Sequence, residues 1–154
     1  MKKLFFILIL LFVLIYPAFS QTLIRDVPVS EFVGETAVSV GFGLGGNSLL
    51  GADLETMFLP RIGAKLGVGI SGFSAGVNYY LYPTAQSSYC SLQAWQSGFG
   101  NDYKAVYLGP MFVYRASRLF QAGLGVGYAL DKKDGYQLKN DYIISFNLGL
   151  YFPI

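Results

Sequence analysis

The chain has 154 residues, room for one domain with its own core, and only 13% of them are charged against 53% hydrophobic and 17% aromatic. An average soluble domain carries about 25% charge, so this composition argues against water as the solvent of the whole surface. A formal charge of +2 without a basic stripe excludes nucleic acid as a partner, and a single cysteine, Cys90, excludes an intramolecular disulfide.

Residues 1–20 read as a cleavable export signal. Lys2 and Lys3 give the positive start, Leu4 to Tyr16 the apolar stretch, and Ala18-Phe19-Ser20 the small-x-small cleavage site. The apolar run falls short of the ~18–20 residues of a membrane helix, and Pro17 closes it. No cysteine stands near the cleavage site to take a lipid. Cleavage leaves a mature chain from Gln21 with balanced charge, in which residues 21–34 form a periplasmic lead-in and residues 35–154 the body of the fold.

From there the dominant signal is a period of two, the mark of strands with unlike faces. Val38, Val40, Phe42 and Leu44 alternate with Ala37, Ser39, Gly41 and Gly43. Leu50, Ala52, Leu54, Thr56 and Phe58 then oppose Asp53, Glu55 and Met57. Ile62, Ala64, Leu66, Val68 and Ile70 oppose Gly63, Lys65, Gly67 and Gly69, and Phe73 to Leu81 oppose Ser74 to Tyr82. The segment from Tyr89 to Trp95 keeps the rule more loosely. Val106, Leu108, Phe112 and Tyr114 form a strand interrupted at Gly109-Pro110. Phe120 to Leu130 and Tyr142 to Phe152 complete eight segments with the bulky residues on one face and glycine or small polar residues on the other.

Turn residues separate these segments at Gly45-Gly46-Asn47, Pro60, Pro83-Thr84, Gly98 to Asp102, Ala116-Ser117 and the charged run Asp131 to Asp141. Ser71-Gly72 suits a two-residue hairpin loop that keeps Ile70 and Phe73 on one face. If the bulky faces enclosed a core, the glycine faces would meet water and pack nothing. Pointed outward they meet lipid, and the small residues fill a narrow eight-stranded lumen. Hydrocarbon offers no partner to an open sheet edge, so the strands must close. The expected fold is therefore all-β, an eight-stranded antiparallel up-and-down transmembrane β-barrel with both ends of its chain on the periplasmic side. Aromatic girdles are expected from Phe58, Tyr79, Tyr82, Tyr114 and Phe152 at one rim, and from Trp95, Tyr103, Tyr128 and Tyr142 at the other.

Asp53, Glu55 and Lys65 are the charges in the middle of these strands, and parity turns all three into the lumen. A hairpin centred on Pro60 sets Glu55 opposite Lys65. A lysine facing lipid at the midplane would cost ~2–4 kcal/mol, so a salt-bridge network plugging the lumen is expected, with an ion-selective ring as the functional alternative. Lys104 falls on the lipid face, tolerable at headgroup level.

The cleavable signal, the eight alternating segments, Gly123-Leu124-Gly125-Val126-Gly127-Tyr128 and the closing Phe146-Asn147-Leu148-Gly149-Leu150-Tyr151-Phe152 together resemble the small outer-membrane β-barrel proteins of the OmpX/OmpA-barrel kind, over roughly residues 35–154. The resemblance implies outer-membrane lipids as surroundings and the barrel-assembly machinery as a partner during insertion. That machinery commonly reads a terminal aromatic, and here the last one is Phe152. Lipid A deacylases and palmitoyltransferases of the same architecture use a histidine, and this chain has none.

No catalytic, cofactor or metal site is expected. Histidine, the commonest general base and metal ligand, is absent. Gly41-Phe42-Gly43-Leu44-Gly45-Gly46 fits a dinucleotide fingerprint by letter but lacks a βαβ unit, and reads as a turn. Asp131, Asp134 and Gly135 hint at a calcium loop without its closing acid. The expected role is a non-enzymatic outer-membrane barrel that is structural or acts through exposed connections: Gly43 to Leu49, Gln96 to Asp102 and above all the extracellular loop with Asp131, Lys132, Lys133, Asp134, Tyr136 and Lys139. The alternatives are a narrow pore and a soluble lipocalin-like barrel carrying an apolar ligand.

Overall fold

The computed structural model describes residues 34–98, 105–116, 119–132 and 141–154. The export signal, most of the lead-in, Tyr103, Lys104, Lys133, Asp134, Tyr136 and Lys139 lie outside the described residues. Alternation of large apolar with small or polar residues yields eight strands: β1 Thr36–Phe42, β2 Gly51–Leu59, β3 Ile62–Gly69, β4 Gly72–Tyr80, β5 Tyr89–Ser97, β6 Ala105–Arg115, β7 Phe120–Lys132 and β8 Tyr142–Pro153. Each pairs antiparallel with its neighbour in sequence, and β1 returns to β8, with Val38 opposite Phe152 and Val40 opposite Leu150. The fold is all-β, a closed eight-stranded antiparallel barrel within the unit Phe32–Ile154.

The barrel has a proximal end, where Gly34 and Ile154 lie, and a distal end. At the proximal end the backbone N–H of Ile154 donates to the Thr36 carbonyl at 2.8 Å. Greasy side chains stand on the outside wall: Leu66 is 62% exposed, Leu124 64% and Ile144 71%, while Asp53, Glu55 and Lys65 are 1–2% exposed inside. Exposed Phe58, Tyr79, Tyr82, Tyr114 and Phe152 ring the proximal rim, and Tyr128 meets Tyr142 at the distal rim with ring centroids 5.2 Å apart.

Four expectations need correction. Trp95 does not join the distal girdle: its ring is buried in the lumen and stacks on Tyr107 at 5.6 Å. Parity already put Trp95 on the inner face, and that constraint overrides the preference of tryptophan for an interface.

β6 is not interrupted. It runs through Gly109-Pro110 with Pro110 exposed on the outer face, paired to Leu92 of β5. The missing N–H of proline is absorbed on the β7 side, where the ladder steps from Leu108↔Tyr128 to Met111↔Gly125.

The β3–β4 hairpin turns at Ile70-Ser71, one residue early, with Gly69 opposite Gly72. A Cβ on Gly69 would meet the Gly45 carbonyl oxygen at 2.8 Å, and one on Gly72 the Gly46 carbonyl oxygen at 3.1 Å. Two glycines therefore face each other where another segment presses in.

That segment is the β1–β2 connection, the fourth correction. Gly43 to Leu49 is an exposed connection only at Leu49, which is 76% exposed; the rest is buried or half-buried. A single turn, Leu44–Asn47, folds inward with Leu44, Gly45 and Gly46 buried. Gly43, Gly45 and Gly46 have φ of 71°, 58° and 88°, the left-handed region that only glycine enters without strain. A Cβ on Gly46 would meet the Gln96 carbonyl oxygen and the Phe73 nitrogen at 2.6 Å. The turn is thus a backbone plug across the distal mouth, closed by the Gly43 N–H donating to the Ser48 carbonyl at 2.7 Å.

Candidate functional site: the filled lumen

Polar side chains of all eight strands meet on the inner face, in two clusters. The proximal one is built on Glu55 of β2. Arg115, at the end of β6, places Nη2 2.8 Å from Glu55 Oε1, with both side chains fully buried. The same carboxylate accepts from the Tyr89 hydroxyl at 2.9 Å, the Tyr80 hydroxyl at 3.1 Å, and Ser39 Oγ and Asn78 Nδ2 at 3.4 Å.

The guanidinium is equally occupied. Its Nε donates to Gln121 Oε1 at 3.2 Å, Nη2 also reaches Ser39 Oγ at 3.2 Å, and Nη1 donates to the Ala85 carbonyl. Its Cζ lies over the Tyr89 and Tyr151 rings, 5.0 and 4.5 Å from their centroids, contacts that suit the weakly hydrated, planar cation. Ala85 belongs to the β4–β5 connection, which folds across the proximal end. The Glu35 carboxylate holds it there by accepting from the Ala85 N–H at 2.6 Å and from Thr84 Oγ1 at 3.0 Å.

The distal cluster is built on Asp53 and Lys65. Lys65 Nζ lies 2.8 Å from Asp53 Oδ2, and Asp53 Oδ1 accepts from the Gly45 N–H of the plug at 2.9 Å. Asn47 Oδ1 accepts from Ser145 Oγ of β8 at 3.1 Å, and Ser48 Oγ donates to the Gly45 carbonyl at 2.9 Å. Between the clusters, Gln93 Nε2 and Asn147 Nδ2 converge on the Met111 sulfur at 3.3 and 3.1 Å.

Glu55 stands opposite Lys65 in the β2–β3 register, as the hairpin centred on Pro60 requires. The ion pairs nonetheless sort differently: Lys65 reaches diagonally to Asp53, because Glu55 is claimed by Arg115 and two tyrosines. Sequence reading missed Arg115, yet its parity was legible: Tyr107, Met111, Val113 and Arg115 share the inner face of β6. Of the charged distal run, Asp131 is exposed at the end of β7, and Lys132 closes that strand.

Both carboxylates are neutralised by cations. Among the described residues no three of His, Cys, Asp and Glu gather as a metal site. The cavity between the plug, the Asp53–Lys65 pair and Trp95 has a volume of about 10 Å³. What this arrangement does chemically is hold its strands together and close the axis at both ends. Compared with known proteins, the chain matches no family model, no curated protein and no solved structure.

Proposed function

We propose that the chain is an exported protein that spans a bacterial outer membrane as a β-barrel, with a structural or surface-interaction role carried by its distal connections and no enzymatic one. The observation that carries this reading is the inversion of the wall. Large apolar side chains line the outside, and buried ion pairs line the axis.

In water each such leucine or phenylalanine would forfeit ~1.5–3 kcal/mol of burial, whereas acyl chains solvate them all. The height also fits. From Tyr142 to Phe152 the strand climbs ten rises of ~3.3 Å, or about 25 Å along the axis at ~40° of tilt, the thickness of an outer-membrane apolar band. The aromatic rims fall where interfaces would lie. The residue 1–20 pattern supplies the export route.

Among the described residues, Arg115, Glu55, Tyr80, Tyr89 and Trp95 are buried on the inner face and the cavity beside Trp95 has only about 10 Å³, which weighs against both the pore and the ligand-carrying soluble barrel. The test is gel mobility of the outer-membrane fraction. The account expects the protein in that fraction, with a band that shifts on boiling. A soluble protein whose mobility ignores heating refutes it.

A further inference from the structure

The distal cluster contains polar groups left unmatched by the described residues. Ser74 Oγ, Asn147 Oδ1 and Trp95 Nε1 are buried without a hydrogen-bond partner among the described residues, each on a residue 2–5% exposed. All three residues line the cavity of about 10 Å³ beneath the Gly45–Gly46 turn, beside Asp53 and Lys65. Buried polar atoms are almost always satisfied, so three orphans around one small cavity point to a shared partner.

We infer that this cavity is a binding site for one structural water molecule, which ties the plug to the Asp53–Lys65 pair. A cavity of this volume holds the centre of one water, and such a water needs two to four polar neighbours. The inventory matches. The indole N–H of Trp95 can only donate, Asn147 Oδ1 can only accept, and the Ser74 hydroxyl does either. The orientation of Asn147 follows from its amide, which faces the Met111 sulfur.

A metal cation finds no match, because the indole presents a donor and the Lys65 ammonium repels it. An anion is opposed by Asp53 and by the Asn147 carbonyl oxygen. An apolar ligand is excluded by size and by the polar lining.

The surrounding glycines are consistent with a site kept open. A Cβ on Gly123 would meet Asn147 Oδ1 at 2.6 Å, one on Gly127 would meet Trp95 Cζ2 at 2.6 Å, and one on Gly67 would press on Ser74 Oγ. Each glycine thus makes room for one of the three groups. The inference does not rest on the membrane reading, since the lumen is the same whatever solvates the wall.

Trp95 is the only tryptophan, so its indole N–H gives one unambiguous signal. The test is a water-selective nuclear Overhauser experiment on the ¹⁵N-labelled protein folded in detergent micelles. The inference expects a cross-peak from the indole N–H to water with the sign of a long-lived complex. That cross-peak should be lost in Ser74→Val, which fills the cavity and removes a partner. It should persist in Ser91→Ala, which removes another unmatched buried hydroxyl that does not line the cavity. No cross-peak in the wild-type barrel overturns the inference, as does its persistence in a folded Ser74→Val. If Ser74→Val does not fold, the wild-type spectrum decides alone.

Discussion

The two halves of the lumen hold the same kind of ion pair by different means. At the proximal end, Glu55 and Arg115 meet side-chain donors and aromatic faces on nearly every side. At the distal end, Asp53 and Lys65 rely on each other and on the backbone of a glycine turn, and polar groups beside them go unmatched among the described residues. The difference teaches that burial alone does not set what a charged pair contributes. A carboxylate with five protein donors is locked to one geometry, whereas one that leans on a plug depends on where the plug sits.

The largest effect should come from Arg115→Met. It leaves the Glu55 carboxylate buried without its cation and frees the Ala85 carbonyl, so the barrel should lose about 3–5 kcal/mol in urea-unfolding titrations. An outer-wall lysine ranks next: Leu124→Lys should cost ~2–4 kcal/mol when unfolding is measured from a bilayer. Lys65→Met should cost about 1–3 kcal/mol in the same assay, because Asp53 keeps the Gly45 N–H and lies beside a polar cavity. If Lys65→Met proves as damaging as Arg115→Met, the contrast between the halves fails. The smallest effect sharpens it: Tyr151→Phe removes only the hydrogen bond to the Ala116 carbonyl and should cost about 0.5–1.5 kcal/mol.

Much of this architecture could be read from residue order because a strand's parity is a strict constraint. Phe120 to Leu130 and Tyr142 to Phe152 have one apolar face each, and that face cannot change without reversing every side chain. The opposition of Glu55 and Lys65 followed from the same arithmetic.

What parity cannot encode is contact across the lumen. Glu55 and Arg115 lie 60 residues apart on strands that are not paired, and only closure brings them together. The inward fold of Leu44–Asn47 was hidden for a related reason. Glycine-rich letters announce a turn, but the same absence of Cβ atoms that makes a turn permits a plug, and the choice depends on Asp53 waiting below. Pro110 misled in the other direction, since proline breaks a ladder only on the side where its N–H would have donated.

Depth-dependent fluorescence quenching by brominated acyl chains tests the orientation of the wall most directly. The protein reconstituted in such vesicles should show unquenched emission from Trp95, shielded inside the barrel, and a strongly quenched added component in Leu124→Trp. Quenching of Trp95 together with bright, shielded emission from position 124 would mean that the faces are reversed, and the account would be wrong.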